Sequence, residues 1–170
     1  MTELRKWGKA AASGSSNCPA FYEIVNGLGL LIIQGKDCDQ TTRARLRLSD
    51  DESVVTIPAE TVVRAMTRYL AATSAPAGRP ALGEVRLLAA DSAAGYGEGA
   101  QLRVRGKTVS NSLRTLLDDV AADESAVLVT VEAMRTVLRA YLRTDRARVG
   151  SWIAGGPELD LLDDMLADRS

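Results

Sequence analysis

Among the side chains of this chain that can do chemistry, carboxylates, arginines and two thiols stand out; histidine is absent. That absence removes the commonest general base near neutral pH. The acids cluster twice, at Asp50-Asp51-Glu52 and at Asp118-Asp119 with Asp123-Glu124. Both clusters sit in a turn just ahead of an apolar run, where carboxylates are solvated and local rather than set as an acid–base pair. Cys18 and Cys38 can pair, but in a reducing compartment they read as free thiols. Two cysteines without an imidazole make a poor zinc site, since zinc takes four such ligands. The glycines of GYGEG (95–99) join two strand-like runs with no helix after them, so they lack the context of a phosphate loop. SGSSNC has no strand before it and no Lys-Ser/Thr pair after it. The expectation is a protein that is not an enzyme, with no catalytic residues, no metal and no cofactor.

Two surfaces remain as candidates for binding. Arg135, Arg139 and Arg143 follow one another at four-residue spacing, with Arg146 and Arg148 beyond. On a helix this makes a basic stripe that can meet phosphates or an acidic partner, or simply a solvated face with cations toward the C-terminus. The tail GGPELDLLDDMLADRS places Leu159, Leu162, Met165 and Leu166 on one face of a helix begun by Pro157. Asp160, Asp163, Asp164 and Asp168 fill the rest. Such a segment can dock in a partner's groove, or fold back on its own chain with Trp152 as anchor.

These residues belong to a chain of 170 residues, 46% hydrophobic and 25% charged, the balance of a globular protein. Only 4% is aromatic, so the core is aliphatic. Net charge is −1, which argues against a protein that coats polyanions. The body is slightly basic, whereas residues 150–170 hold one arginine and five acids. The longest apolar run, Leu28 to Ile33, is too short to span a bilayer. No secretory signal follows the N-terminal basic residues, so a cytoplasmic location is expected.

The elements that must position these residues show a repetition. DESVVTIPAETVVRAMTRYL begins at Asp51 and DESAVLVTVEAMRTVLRAYL at Asp123, 72 residues later, with seven of twenty positions identical. Gly35 in IIQGK likewise faces Gly106 in RVRGK at an offset of 71. In the first copy, 21–25 and 30–35 read as a hairpin about the turn NGLG. Residues 41–49 alternate as a strand would but also suit a helix, and the match to the second copy favours a helix over 40–47. Residues 54–57 read as a strand and the segment after Pro58 as an amphipathic helix. In the second copy, 84–89 and 101–106 read as strands, 111–120 as a helix capped by Ser110 or Asn111, 125–130 as a strand and 131–146 as a helix.

The expected fold is α/β (α+β): two tandem homologous β-hairpin–helix–strand–helix units packed as a pseudo-dimer, plus an acidic C-terminal helix. The boundaries are a flexible arm over 1–17, a first unit over 18–72, a linker over 73–83, a second unit over 84–149 and the tail over 150–170. A unit of some 50–60 residues is marginal alone, so each copy would cover the other's apolar sheet face.

Several stretches carry a family resemblance. Trp7-Gly8-Lys9, a Ser/Gly run and Cys18 resemble the opening of short actinomycete proteins, with Ala10 and Ala11 where that group has a serine pair. Cys18-Pro-Ala-Phe-Tyr22, Ile32-Ile-Gln-Gly-Lys36 and Asp51-Glu-Ser-Val-Val-Thr-Ile-Pro58 resemble a second set of small Streptomyces-type proteins, over roughly residues 18–60. Both groups have unassigned activity and are encoded beside helix-turn-helix transcription regulators. LRLSDDESVVTI is similar to a segment of swapped-hairpin transition-state regulators, which intertwine as dimers on DNA, although it lacks the turn glycine. The resemblance implies a regulatory protein whose partner is a helix-turn-helix regulator, and it supplies no catalytic residues.

The functional expectation is therefore a non-enzymatic regulatory adaptor that binds a protein partner. The contact surface would come from the tail leucines, the arginine stripe or apolar residues near Leu28 to Ile33. The alternative is direct nucleic-acid binding through the basic helix face.

Overall fold

Alternating apolar residues build the centre of the molecule. In the computed structural model, which describes residues 2–9, 19–27, 29–73, 82–88, 100–117, 120–144, 146–153, 162 and 164, β2 (Ala20–Ile24) and β3 (Leu30–Asp37) form the hairpin expected from their β-branched runs. Its turn uses Asn26 at φ 62° and Gly29 at φ 86°, the left-handed region that these two residues tolerate best. A short helix α1 (Gln40–Leu46) follows, then β4 (Glu52–Pro58) and helix α2 (Ala59–Ala72). The second half runs β5 (Glu84–Leu88), β6 (Gln101–Thr108), α3 (Asn111–Arg114), β7 (Glu124–Thr130), α4 (Val131–Thr144) and α5 (Arg146–Trp152). With β1 (Leu4–Lys9) the result is a mixed α/β fold: one antiparallel seven-stranded sheet and five helices among the described residues.

The strand partners cross between the halves. β3 pairs with β7 along its length, from Leu30↔Thr130 to Lys36↔Glu124, and meets β4 only at Lys36↔Thr56 and Asp37↔Val55. β4 pairs with β6 along its length, from Glu52↔Lys107 to Pro58↔Gln101, and β6 meets β7 only at Lys107↔Leu128 and Thr108↔Val127. The four strands therefore close into a ring, with β2 and β1 extending it beyond β3 and β5 extending it beyond β6. Segments 18–72 and 84–149 do not each hold a separate sheet, contrary to the expectation of two units facing one another across their sheet faces. Main-chain bonds between the segments hold the ring.

The pairings recur. Lys36↔Glu124, Gly35↔Ser125 and Ile33↔Val127 are matched by Lys107↔Glu52, Gly106↔Ser53 and Val104↔Val55. Gly35 and Gly106 mark the same spot in both. A Cβ on Gly35 would run into the carbonyl oxygen of Thr56, and one on Gly106 into that of Leu128. At these points one strand passes from its long partner to its short one, and only a residue without a side chain lets the backbones approach so closely.

One face of the ring carries the main core. Leu31, Ile33, Val55, Ile57, Leu102, Val104, Val127 and Val129 point inward by strand alternation and meet α2 through Val62, Met66 and Tyr69, and α4 through Met134, Leu138 and Tyr141. The opposite face of β2, β3 and β7 carries a smaller cluster, Ala20, Tyr22, Ile32 and Ala126, closed by Val109 and Leu117.

Three boundaries differ from the sequence reading. Residues 4–9 lie in the expected arm but form β1, because Trp7 has a site: its ring stands edge-on to Tyr69 at 5.8 Å and its Nε1 donates to Glu23 Oε1 at 3.3 Å. Gly8 lets this edge press on α2, since a Cβ there would lie 2.8 Å from Ala65 Cβ. The expected helix 111–120 ends as α3 after Arg114. The N–H groups of Leu116 and Leu117 then donate to Leu113 and Arg114, a tightened turn that drops Leu117 into the smaller cluster. Helix α5 spans the expected unit boundary at 149/150. Most of the linker 73–83, the GYGEG turn, Cys18, Asp118 and Asp119 lie outside the described residues.

Candidate functional site

The surfaces read from sequence are only partly available. Leu162 is fully buried with Val149 and Ile153 in the main core, so this leucine is committed to its own chain. Leu159, Met165 and Leu166 lie outside the described residues. Of the arginine stripe, Arg143 is exposed and Arg139 half-buried, while the Arg135 side chain is only 12% exposed and reaches Glu132 at 3.6 Å. The gradient in exposure is geometric: four residues overshoot one helical turn by about 40°, so such a row slants across the helix. It starts at Arg135 beside the apolar face and ends in solvent at Arg143. Leu31, Ile32 and Ile33 are fully buried and offer nothing to a partner.

A different set of side chains forms a pocket. Helix α1 is capped by Asp39, whose Oδ1 accepts from Thr42 N–H at 2.7 Å. That bond is the main reason the Asp39 carboxyl lies below its usual pKa, with Arg45 and Arg103 adding to it. The helix ends at Arg47, in the left-handed region at φ 49°. Leu46, in the last turn, faces the outer side of the β5–β6 ribbon. There Glu84 and Arg86 alternate with Val85 on one strand, and Arg103 and Arg105 with Val104 on the other. Leu46, Glu84, Arg86, Arg103 and Arg105 line a solvent-open depression of about 290 Å³.

The charges are unevenly satisfied. Arg105 is held on three sides: Nε donates to Glu52 Oε2 at 2.8 Å, Nη2 to Glu52 Oε1 at 3.1 Å, and Nη1 to the Leu46 carbonyl at 3.1 Å. This fork, with Ser49 N–H also donating to Glu52, pulls the Glu52 pKa down to about 2 and raises that of Arg105. Glu84 lies opposite Arg105 in the ribbon and adds to the same effect. Arg86 and Arg103 are also directly opposite one another. Among the described residues neither forms an ion pair or a side-chain hydrogen bond. Arg45 and Arg47 are exposed nearby, and Arg43 reaches Asp37 at 3.6 Å.

Other groups are less eligible. Burial raises the pKa of the half-buried Cys38 thiol, and Asp37 raises it further, so it is a poor nucleophile at neutral pH. No three His, Cys, Asp or Glu side chains converge as metal ligands among the described residues. No described helix is long and apolar enough to cross a membrane.

Reading the sequence for motifs missed Arg86, Arg103 and Arg105. The usable signal was strand alternation, Glu-x-Arg over 84–86 and Arg-x-Arg over 103–105, which puts both pairs on one sheet face. The fold and the pocket together describe a mixed α/β protein with an open, arginine-lined depression beside an outer strand of its sheet. Compared with known proteins, the chain matches no family model, no curated protein and no solved structure.

Proposed function

We propose that this chain is a non-enzymatic regulatory adaptor that docks an acidic surface of a protein partner on the face formed by α1, β5 and β6. The observation that carries this is the opposed pair Arg86–Arg103 at the mouth of an open pocket, which forms no ion pair among the described residues, with only the exposed Asp39 carboxylate acting on Arg103 from a distance. Arginine is favoured in protein interfaces because its planar fork binds carboxylates with two parallel bonds while its stem covers apolar surface. Leu46 supplies that apolar floor. The sequence resemblance points to a helix-turn-helix regulator as the partner.

We also infer that the chain is two homologous units fused as a pseudo-dimer with exchanged strands. The recurrence of strand register, the glycine pair 35/106 and the capped helices α1 and α3 after Asp39 and Ser110 support this.

Affinity capture from the native host tests the adaptor reading. A regulator retained by the wild-type chain, lost with Arg86→Glu plus Arg103→Glu and kept with Arg68→Glu on the exposed side of α2 supports it. Equal retention by all three overturns it.

Direct nucleic-acid binding is the second reading, favoured by Arg45 and Arg47 beside the same pocket. It requires a gel shift that weakens steeply with salt; no shift at low ionic strength removes it.

A further inference from the structure

We infer that the depression between α1 and the β5–β6 ribbon is a phosphomonoester subsite, with Arg86 and Arg103 as its ligating side chains and Arg105 as a positioning residue. The first support is electrostatic. Opposed residues in an antiparallel pair bring their Cβ atoms to about 5 Å, and like charges there repel. Glu52 and Glu84 are set against Arg105, and the exposed Asp39 acts on Arg103 only from beyond ion-pair distance, so net positive charge remains at Arg86 and Arg103. An anion lying between the two guanidinium groups removes that repulsion.

The second support is independent of charge. Ala20, Tyr22 and Ile32 occupy on β2 and β3 the register that Glu84, Arg86 and Arg103 occupy on β5 and β6. There the same layout is a closed apolar cluster under Leu117. Arginine at 86 and 103 is thus not what the scaffold demands; the scaffold demonstrably closes with an aromatic and an aliphatic side chain at those places. With arginine at these two places the depression stays open and is lined with donors.

Charge and donor number select the ligand. The depression is shallow and open to solvent, so it can seat an oxyanion group at its floor while the rest of the ligand stays outside. A phosphomonoester is a dianion near neutral pH and offers three acceptor oxygens, enough for a two-bond fork from each arginine. A carboxylate or a phosphodiester carries one charge and saturates one fork. Arg105, fixed by Glu52 and by the Leu46 carbonyl, keeps α1 against the ribbon and sets the depth of the site.

The subsite lies on the face proposed for partner docking, and its test reads phosphate directly so that the two can fail separately. The Nε–Hε resonances of Arg86 and Arg103 are followed by NMR on the full chain during titration with inorganic phosphate, a phosphoserine peptide, dimethyl phosphate and acetate. The expected result is saturable shifts at both arginines with inorganic phosphate or the peptide, and affinity at least about tenfold weaker for dimethyl phosphate and acetate. Tighter binding of the peptide than of inorganic phosphate assigns the group to a phosphorylated side chain; the reverse assigns it to a free phosphate. Arg86→Ala or Arg103→Ala should each weaken binding about tenfold, Arg103→Lys by less, and Arg68→Ala not at all. Arg86→Tyr with Arg103→Ile, which copies the apolar counterpart, should abolish binding while the chain stays folded in a thermal melt. Unmoved resonances, equal response to the diester, or binding that survives the double substitution would overturn the subsite. Partner capture lost with Arg86→Glu and Arg103→Glu would then still stand as a separate result.

Discussion

Beneath α3, Tyr22 and Ile32 are sealed from water by Leu117; beneath α1, the residues in the same register are Arg86 and Arg103, and Leu46 leaves them open. The two places share strand register, a short capped helix and a following acidic turn. Glu124, the first residue of β7, accepts from Ala121 N–H and from the Gln34 amide, as Glu52, the first of β4, accepts from Ser49 N–H and Arg105. They differ in what the side chains achieve. Burying Tyr22 and Ile32 stabilises the fold by about 1.5–3 kcal/mol each, whereas two opposed like charges, Arg86 exposed and Arg103 half-buried, contribute nothing or slightly less. The difference teaches that a stabilising solution was available to this scaffold and is absent on one side. Residues that forgo stability in this way are candidates for function.

The strongest way to break the comparison is to move the charge. Ile32→Arg places on the sealed side what Arg103 is on the open side. It should cost about 3–5 kcal/mol, because the guanidinium would be buried without a partner, and urea unfolding would show it. A loss under 1 kcal/mol would mean the sealed cluster opens freely and the two sides are not distinct.

The glycine pair sharpens the equivalence of the frame itself. Gly35→Ala and Gly106→Ala each drive a methyl group into a carbonyl of the neighbouring strand, and each should cost about 1–3 kcal/mol. Equal costs are expected from matched strand crossings; a large loss at one and none at the other would show that the two crossings carry different loads. A smaller effect of opposite sign is expected from Arg86→Tyr with Arg103→Ile. Removal of repulsion and added apolar contact should raise stability by up to about 1 kcal/mol, read from the shift of the urea midpoint.

The smallest effect concerns acid. Glu52 is held down to about 2 in the folded chain, against an ordinary value of 4.5. A depressed carboxyl contributes stability above its unfolded pKa and loses it as the pH falls toward the folded one. The advantage of wild type over Glu52→Gln should be full above about pH 5 and fade between 4.5 and 2. An advantage that persists unchanged at pH 2 would show that Glu52 acts through packing rather than charge.

Much of the frame was legible before any coordinates. Val62, Met66, Tyr69 and Leu70 announce α2 by period, and NGLG announces the β2–β3 turn. The helix over 40–47 followed from matching it to the second copy, since the Arg-Ala-Arg-Leu alternation there fits a strand equally well. What was not legible depends on partners distant in the chain. β1 forms because Trp7 finds Tyr69, and nothing within LRKWGK states that. α3 shortens because Leu117 is drawn into a cluster with Tyr22 and Ile32. The pocket arginines come from two strands that are seventeen residues apart in sequence at their contact, so neither alone forms a visible patch. Arg135, Arg139 and Arg143 were visible for the opposite reason: helical spacing puts them side by side on paper, yet their exposure depends on where the core lies.

The closed ring also has a consequence for how the chain is made. Leu30 pairs with Thr130, one hundred residues later, and β7 is the last of the described strands to be synthesised. Until it emerges, the long side of β3 has no mate, and the nascent chain carries an open apolar ribbon with Ile32 and Ile33 uncovered. Contacts so far apart in sequence slow folding. The protein should therefore depend on holding chaperones during translation, and truncation ahead of residue 124 should leave a product that aggregates rather than a smaller folded domain.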